Sequence, residues 1–306
     1  MIFDNKEKTE ICYRNRQTGE INTEKVFSEK TLRWLYENPL GFTINNYLLN
    51  NYLFCYLYGK LQDLPSSRKK INKLINQYQI NLEEIELSID KYKNFNAFFS
   101  RKLKPNARHF IKDKNIFCSP GDGKILVYPQ LEEKVKIPVK GSFITLESLL
   151  NCKATARKYI NGSAIILRLA PADYHRFHFP DDGEASRAKT IKGQYHSVNP
   201  IALNKVPNLF CLNKRSVTEL KSSNFGKIAY IEIGAITIGS IIQTYIPGMI
   251  TKGQEKGYFQ YGGSTIVLLF ESKKISFDED LIQDSSKNLE VQVLAGTQIG
   301  IKEEND

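Results

Sequence analysis

The amino-acid sequence predicts an α+β protein, in which a helical N-terminal region precedes a β-rich core. Over the first hundred residues, apolar side chains recur mostly at helical spacing. From about residue 115, short runs rich in Ile, Val, Tyr and Thr alternate with Gly, Pro and Asn turns. We therefore expect two regions, 1–110 and 111–306, in a chain of 306 residues that suits one large domain or two modest ones.

The most distinctive N-terminal segment, residues 44–61, is rich in both apolar and aromatic residues. Helical spacing places four of its side chains on one face: Ile44, Leu48, Tyr52 and Cys55. Amphipathic helices of this composition often lie at a membrane interface, although an ordinary helix–helix contact also explains the pattern. The basic segment at 68–79 could contact lipid phosphates or form a solvated charged face.

The β-rich region contains five runs that predict strands. They are KILVYP (124–129), SAIILRLA (163–170), KIAYIEIGAITIGSIIQTYI (227–246), STIVLLF (264–270) and LEVQVLAG (289–296). Few long helical patterns separate these runs, which favours an extensive sheet.

Charge is distributed unevenly along the chain, whose net charge is +10. Residues 264–306 hold four lysines and nine acidic residues, so they carry −5 and residues 1–263 carry +15. A basic body of this size favours a polyanionic partner, either nucleic acid or an anionic membrane. No recognised nucleic-acid-binding motif accompanies the charge, so we expect no nucleic acid. Five scattered cysteines indicate a reducing compartment and no cysteine-based zinc site.

Two of the four histidines, His175 and His178, lie within one short segment, 173–180. Histidine is the usual general acid or base near neutral pH, so this pair is a candidate for catalysis. A metal site needs further ligands, and neither HExxH nor a third nearby ligand is present. Structural roles for both histidines remain open at this point.

Two further segments supply an aspartate and a serine. Asp122 lies between glycines in Ser-Pro-Gly-Asp-Gly-Lys, which is either a simple β-turn or the site of a residue that orients a histidine. Ser264 follows two glycines directly before an apolar strand. Asp122, His178 and Ser264 could act as orienter, base and nucleophile of a serine hydrolase, although the G-x-S-x-G elbow is absent.

The order of several motifs gives a more specific indication. The motifs are YRNRQTGE (13–20), WLYENPLG (34–41), FFSRKLKP (98–105), SPGDG (119–123), LAPADYHRFHFP (169–180), SVNP (197–200), VPNLF (206–210), IGAITIGS (233–240) and KGQEKGYF (252–259). With them the chain resembles pyruvoyl-dependent phosphatidylserine decarboxylases, especially the longer bacterial type II. Many relatives carry Leu-Gly-Ser-Thr at their cleavage site, where this chain has Gly262, Gly263, Ser264 and Thr265.

The resemblance implies self-cleavage between Gly263 and Ser264. The serine hydroxyl would attack the Gly263 carbonyl, with His178 as base and Asp122 as its orienter. Ser264 would end as a pyruvoyl group, and neither a metal nor pyridoxal phosphate is expected. The catalytic core would then be built from both products, a heterodimer of a large chain, 1–263, and a small chain, 264–306.

The resemblance also implies the substrate and the location. Phosphatidylserine would form a Schiff base with the pyruvoyl group and lose carbon dioxide to give phosphatidylethanolamine. His175 and His178 are both candidates for returning a proton, and His175 is preferred because His178 is assigned to cleavage. His196 could line the head-group pocket, or it could occupy an ordinary strand position. The protein would lie on the cytoplasmic side of the cell membrane as a peripheral protein, with region 1–110 contacting an anionic surface. Two other interpretations stay open: a serine hydrolase that remains uncut, and a lipid-binding module without catalysis.

Overall fold

The computed structural model describes residues 10–131, 136–139, 142–235, 241–262 and 264–303. Over these residues the chain is a mixed α/β protein with a large β-sheet core. None of the helices described is long and apolar enough to cross a lipid bilayer.

The helices are concentrated before residue 100 and are short thereafter. They are α1 (Glu29–Glu37), α2 (Pro39–Ile44), α3 (Tyr52–Gln62), α4 (Lys69–Tyr78), α5 (Phe95–Phe99), α6 (Leu146–Leu150), α7 (Lys153–Ala156), α8 (Pro200–Leu203), α9 (Leu209–Leu212) and α10 (Glu279–Ser286). Helical turns of other types supplement them in the described ranges: the π-helical Asn45–Leu49 and the 3₁₀ turns Pro65–Arg68, Ile89–Lys91 and Arg157–Tyr159.

The described strands comprise two that precede the N-terminal helices and others that follow from Ile116 onwards. They are β1 (Cys12–Asn15), β2 (Ile21–Thr23), β3 (Ile116–Cys118), β4 (Gly123–Tyr128), β5 (Lys136–Val139), β6 (Ser142–Thr145), β7 (Ser163–Leu169), β8 (Arg176–His178), β9 (Gly183–Ala185), β10 (Lys189–Ile191), β11 (Arg215–Ser222), β12 (Gly226–Ile233), β13 (Ile241–Gln243), β14 (Gly248–Ile250), β15 (Glu255–Phe259), β16 (Ser264–Phe270), β17 (Ile275–Phe277), β18 (Glu290–Val293) and β19 (Gln298–Lys302).

The large sheet has the strand order β14-β9-β11-β12-β16-β7-β4-β18-β1-β2, and β10 pairs with β11 beside this path. Its pairings are antiparallel except that between β1 and β18. Two smaller sheets, β13-β15-β8 and β17-β19-β3, and the hairpin β5-β6 complete the described strands. The central strand β16 is therefore hydrogen-bonded on both sides to strands that precede residue 263.

Alternation along the central strands separates the two hydrophobic layers of the core. On β16, Val267 and Leu269 face one layer, whereas Ile266, Leu268 and Phe270 face the other. All seven residues of β16 are buried. A strand that is covered on both faces reads as a continuous apolar run, which explains why STIVLLF shows no polar alternation.

All five predicted strand runs contain strands, in β4, β7, β12, β16 and β18. The longest run is divided: β12 ends at Ile233 and β13 begins at Ile241, with residues 236–240 outside the described ranges. The N-terminal region also contributes β1 and β2 to the large sheet, which the sequence did not predict.

The predicted helix at 44–61 is broken, and its predicted face does not share one environment. Asn51 has an extended backbone, and its side-chain oxygen accepts a hydrogen bond from Phe54 N at 2.8 Å, so α3 begins anew there. Cys55 is buried, whereas Leu48 and Tyr52 are exposed. The π-helical turn and this N-cap rotate the two halves of the segment relative to each other.

A third hydrophobic cluster joins the N-terminal helices to the segment before β16. Ile71 and Leu74 of α4 pack with Phe95 and Phe99 of α5 around Tyr261. The rings of Phe95 and Tyr261 meet edge to face, with centroids 4.8 Å apart. The helices thus contact the residues directly before Gly263.

Candidate active site

The first candidate residue, Ser264, begins β16 in the middle of the large sheet and lies opposite Leu169 on β7. Its side chain is completely buried, and its Oγ lies 3.3 Å from Nδ1 of His175. Two residues earlier, Gly262 has a φ of +143°, in a region that favours glycine. Gly263, the predicted partner of Ser264 in cleavage, lies outside the described residues.

The imidazole of His175 is fixed from three sides. Its Nε2 lies 3.0 Å from the Ala170 carbonyl oxygen. Because a carbonyl only accepts, Nε2 carries the proton and the lone pair of Nδ1 faces Ser264. The Phe99 ring stacks on the imidazole with centroids 3.9 Å apart. Burial lowers the pKa of His175 to about 3, and the Arg101 charge acts in the same direction, so the ring is neutral at pH 7.

His178 lies at the end of β8 and faces another set of partners. Its Nδ1 is 3.0 Å from the Gly253 carbonyl oxygen, and its Nε2 is 3.4 Å from the Tyr174 hydroxyl. Burial lowers the pKa of His178, and the negative charges of Glu255 and Asp122 partly oppose that shift. The ring is therefore also held neutral, with a carboxylate near enough to influence it.

Asp122 is buried in the turn between β3 and β4 and is bound to an arginine. It accepts hydrogen bonds from Arg108 Nε at 2.8 Å and Nη2 at 2.6 Å, and from the backbone N–H of Ala295 at 2.9 Å. Arg108 also contacts Glu84 at 3.0 Å. These bonds hold Asp122 against a residue of the predicted small chain.

The structure thus brings Ser264 to His175, whereas the sequence paired it with His178. In the described part of the chain, the ring of His178 bonds neither Ser264 nor Asp122. Spacing alone could not distinguish the two histidines, because His175 lies in the turn before β8 and His178 at its far end. The relay from Asp122 through His178 to Ser264 stays a prediction.

Arg101, which has no role in the sequence-based prediction, is buried beside this site. Its Nη2 donates to the carbonyl oxygens of Ala172 at 2.8 Å and Asp173 at 3.4 Å, in the turn that precedes His175. Its guanidinium also lies over the Phe98 ring, 5.2 Å from the centroid. The motif FFSRKLKP marked this segment, but only this folding of the chain brings it to the histidine.

The sequence-based prediction also missed a set of buried charged residues on β7 and β4, two neighbouring strands of the large sheet. Arg168 of β7 forms ion pairs with Glu24 and with Glu290, and Lys124 of β4 pairs with Asp173 at 3.0 Å. The available signal was a basic residue inside each of two apolar runs, KILVYP and SAIILRLA. Buried charges of this kind require partners, and here the partners come from distant segments.

A pocket of about 250 Å³ opens beside the segment that leads to Ser264. Its walls are α1, Tyr58 of α3, residues 168–171 and residues 197–199, and it extends to Tyr261 and Gly262. Leu32 and Leu35 make part of the wall apolar, whereas Glu24 and Arg168 supply charge. The pocket can therefore accept a molecule with both apolar and polar parts.

His196 is buried and lies outside this pocket lining. Its Nδ1 is 2.8 Å from Asn50 Nδ2, and its Nε2 is 2.7 Å from Gln194 Oε1. Burial lowers the pKa of His196 to about 4. These bonds join the N-terminal helices to the loop that forms one pocket wall, and the head-group role of His196 stays a prediction.

Among the residues described, no group of three or more His, Cys, Asp or Glu side chains could hold a metal ion. The buried charges noted above are paired with each other.

Comparisons with known proteins point to one family over most of the chain. The family model for phosphatidylserine decarboxylase matches residues 95–301. A phosphatidylserine decarboxylase proenzyme of Clostridium novyi (strain NT) is 45% identical over 289 residues, covering 94% of this chain and 98% of that protein. The proenzyme of Clostridium tetani (strain Massachusetts / E88) is 45% identical over 293 residues, covering 95% and 98%.

Proposed function

The chain belongs to the phosphatidylserine decarboxylase family, and we infer that it converts phosphatidylserine to phosphatidylethanolamine with a pyruvoyl group made from its own Ser264. The observation that carries this inference is the buried Ser264–His175 contact at the start of β16, directly after the glycine pair. The name proenzyme, given to the relatives, fits a chain that is completed by cleavage. The residues fit the group, because the serine hydroxyl has a proton acceptor and the residue before it has no side chain.

Self-cleavage requires the Ser264 Oγ to attack the Gly263 carbonyl, which exchanges the amide for an ester. A histidine takes the hydroxyl proton and returns one to the departing nitrogen. Elimination then releases the upstream carboxylate and leaves a dehydroalanine, which hydrolyses to the pyruvoyl group and ammonia. The direction of the Nδ1 lone pair favours His175 as the proton acceptor in the uncut chain.

The sequence-based hypothesis gives this proton transfer to His178, with Asp122 as orienter. Its support is electrostatic, because Asp122 counteracts the burial-induced lowering of the His178 pKa. Matched variants distinguish the two assignments. With His175 as acceptor, His175→Ala accumulates uncut chain and His178→Ala is cut; the reverse pattern supports the sequence-based hypothesis.

The two products should stay together as a heterodimer. After cleavage β16 still lies between β12 and β7, and β18 between β4 and β1, all four from the large chain. Ion pairs cross the same boundary, from Arg14 to Asp284 and from Arg16 to Asp278 and Asp280. Separating the chains would therefore require the large sheet to unfold.

The pocket beside Gly262 supports a site for the lipid substrate. A pyruvoyl group supplies a carbonyl electron sink for loss of carbon dioxide from an amino acid head group. His175 would stand beside the reacting atoms after cleavage, because it contacts Ser264 before it. The apolar wall formed by Leu32, Leu35 and Tyr58 suits the part of the lipid next to the head group.

We propose that the protein lies on the cytoplasmic side of the cell membrane as a peripheral protein, and an exposed apolar surface supports the contact with a bilayer. We call it the α3 surface; its side chains are Leu40, Tyr47, Leu48, Tyr52, Leu53, Tyr56, Leu57, Leu61 and Leu64. Leu53, Leu57 and Leu61 recur every four residues and make a stripe along the helix. Nearby basic residues at 68–70 and 73 favour an anionic bilayer.

Activity on vesicles tests the function directly. Purified wild-type protein should convert phosphatidylserine in anionic vesicles to phosphatidylethanolamine and carbon dioxide. Ser264→Ala removes the nucleophile and the source of the carbonyl, so it should release no carbon dioxide above background. A Ser264→Ala protein with wild-type turnover would exclude a pyruvoyl group at this position.

A further inference from the structure

Asn96, on the short helix α5, contacts two parts of the molecule through opposite atoms of one amide. Its Oδ1 accepts a hydrogen bond from the backbone N–H of Tyr261 at 3.0 Å. Its Nδ2 donates to Asp63 Oδ1 at 2.8 Å and lies 3.4 Å from the Gly59 carbonyl oxygen. The Asn96 side chain and its bond to Tyr261 are buried, whereas Asp63 is exposed, with 41% of its side chain accessible.

The first contact lies at the entrance to the cleavage site. Tyr261 is followed by Gly262 and then by Gly263, whose carbonyl Ser264 must attack. Glycines restrain the backbone poorly, so the direction of the segment depends on what holds Tyr261. The N–H of Tyr261 is held by Asn96, and its ring is enclosed by Phe95 and Phe99.

The second contact lies at the end of the α3 surface. Gly59 is in the last turns of α3, and Asp63 is its C-cap residue. The same helix exposes the apolar stripe that supports membrane binding. One buried amide therefore connects the end of this helix with the residue that precedes the glycine pair.

We propose that Asn96 is a positioning residue for self-cleavage: it holds Tyr261 against the end of α3, and this restraint on the segment before Ser264 favours attack on the Gly263–Ser264 peptide bond. The proposal rests on the proposed function, since it requires cleavage at Gly263–Ser264. Its physical basis is that an intramolecular attack depends steeply on the approach of the two reacting atoms. Asn96 touches neither of those atoms and acts through Tyr261.

Three variants distinguish the bond of Asn96 to Tyr261 from its contacts with the end of α3. Asn96→Leu removes all three contacts of the amide at similar volume and should slow cleavage at least about tenfold. Asn96→Asp keeps the acceptor for Tyr261 N–H but places two carboxylates together, so it should also be slow. Adding Asp63→Asn to Asn96→Asp exchanges donor and acceptor between the two positions and should restore cleavage to within about threefold of wild type.

Asn94→Ala is the matched control. Asn94 caps α5 by accepting from Ala97 N–H, and it donates to the Asp63 carbonyl oxygen, so its loss weakens the same helix without touching Tyr261. In the uncut Ser264→Ala background, we expect Asn94→Ala to lower the thermal unfolding midpoint as much as Asn96→Leu does. In a chain that keeps Ser264, we expect Asn94→Ala to be cut at the wild-type rate.

Cleavage is followed on the full chain after pulse-labelled cell-free synthesis, with denaturing gels over time. The positioning role would be overturned if Asn96→Leu were cut at the wild-type rate. It would also be overturned if Asn96→Asp with Asp63→Asn were cut no faster than Asn96→Asp alone. Equal slowing of Asn94→Ala would overturn it as well, because general helix weakening would then suffice. Absence of a new terminus at residue 264 in wild type would instead contradict the proposed function.

Discussion

Two apolar regions of this protein, the strand β16 and the α3 surface, differ in what covers them. β16 has all seven residues buried between two strands and two hydrophobic layers. The α3 surface leaves Tyr52 and Leu53 more than half exposed, at 64% and 63%. Burial of β16 stabilises the fold, whereas the exposed stripe contributes nothing to it until another apolar phase covers it. Apolar sequence therefore has two meanings here, one for stability and one for binding.

This difference predicts that substitutions in the two regions affect different properties of the protein. Substitutions in the buried region should alter chemistry and stability while leaving vesicle binding intact. Substitutions on the α3 surface should do the opposite.

The largest effect is expected at His175. His175→Ala removes the imidazole that contacts Ser264, so decarboxylation should fall by about 10²–10⁴-fold, the usual contribution of a positioned acid or base. Carbon dioxide release from phosphatidylserine vesicles measures the loss. Vesicle binding of the same variant should equal that of wild type, and a joint loss of both would break the separation.

The stability of the buried region depends on the buried ion pairs of Arg168 on β7. Arg168→Met leaves Glu24 and Glu290 without their arginine, and should lower the free energy of unfolding by about 3–5 kcal/mol. Chemical denaturation of uncut Ser264→Ala protein measures it. Lys221→Met is the control, because its pair with Glu184 is exposed and should contribute less than about 1 kcal/mol.

The α3 surface should show the opposite pattern. Leu53→Ser with Leu57→Ser removes two exposed apolar side chains, so affinity for anionic vesicles should fall at least about tenfold. Flotation with vesicles measures binding, and denaturation should show an unchanged unfolding free energy within about 0.5 kcal/mol for each substitution. Unfolding at much lower denaturant would show instead that the stripe is part of the core.

The smallest effect concerns His196, whose imidazole joins Asn50 of the N-terminal region to Gln194. Its pKa is about 4 in the folded chain against 6.5 for the free side chain, so below pH 6.5 the unfolded state binds a proton that the folded state does not. Protonation then favours unfolding, and stability is lost as the pH falls from 6.5 towards 4. His196→Gln should reduce the loss between pH 7 and 5 by about 1–2 kcal/mol. An unchanged pH dependence would show that this histidine is already protonated in the folded state.

Local patterns predicted much of the buried region and less of the exposed one. The strand runs at 124–129 and 264–270 were found because β-branched and aromatic residues mark covered strands. β1 was missed because its parallel partner, β18, lies far along the chain and no local pattern signals it. The helix break at Asn51 was missed because N-capping depends on backbone geometry within an otherwise continuous apolar segment.

The candidate site was predicted in composition but not in arrangement. Ser264, His175, His178 and Asp122 all lie in buried segments around β16, β8 and β4. The contact of Ser264 with His175 depends on the turn before β8, which is held by the carbonyl oxygen of its own first residue, Ala170, and by Arg101 from a distant segment. Three-residue spacing cannot reveal which ring that turn presents to the serine.

The most direct test of the central claim is the intact mass of the purified protein. Wild type should separate under denaturing conditions into two chains, the smaller spanning residues 264–306 and carrying a hydroxylamine-reactive ketone in place of an amino terminus. Ser264→Ala should give a single chain near 35.1 kDa. A wild-type chain that remains whole and still forms phosphatidylethanolamine would contradict the account.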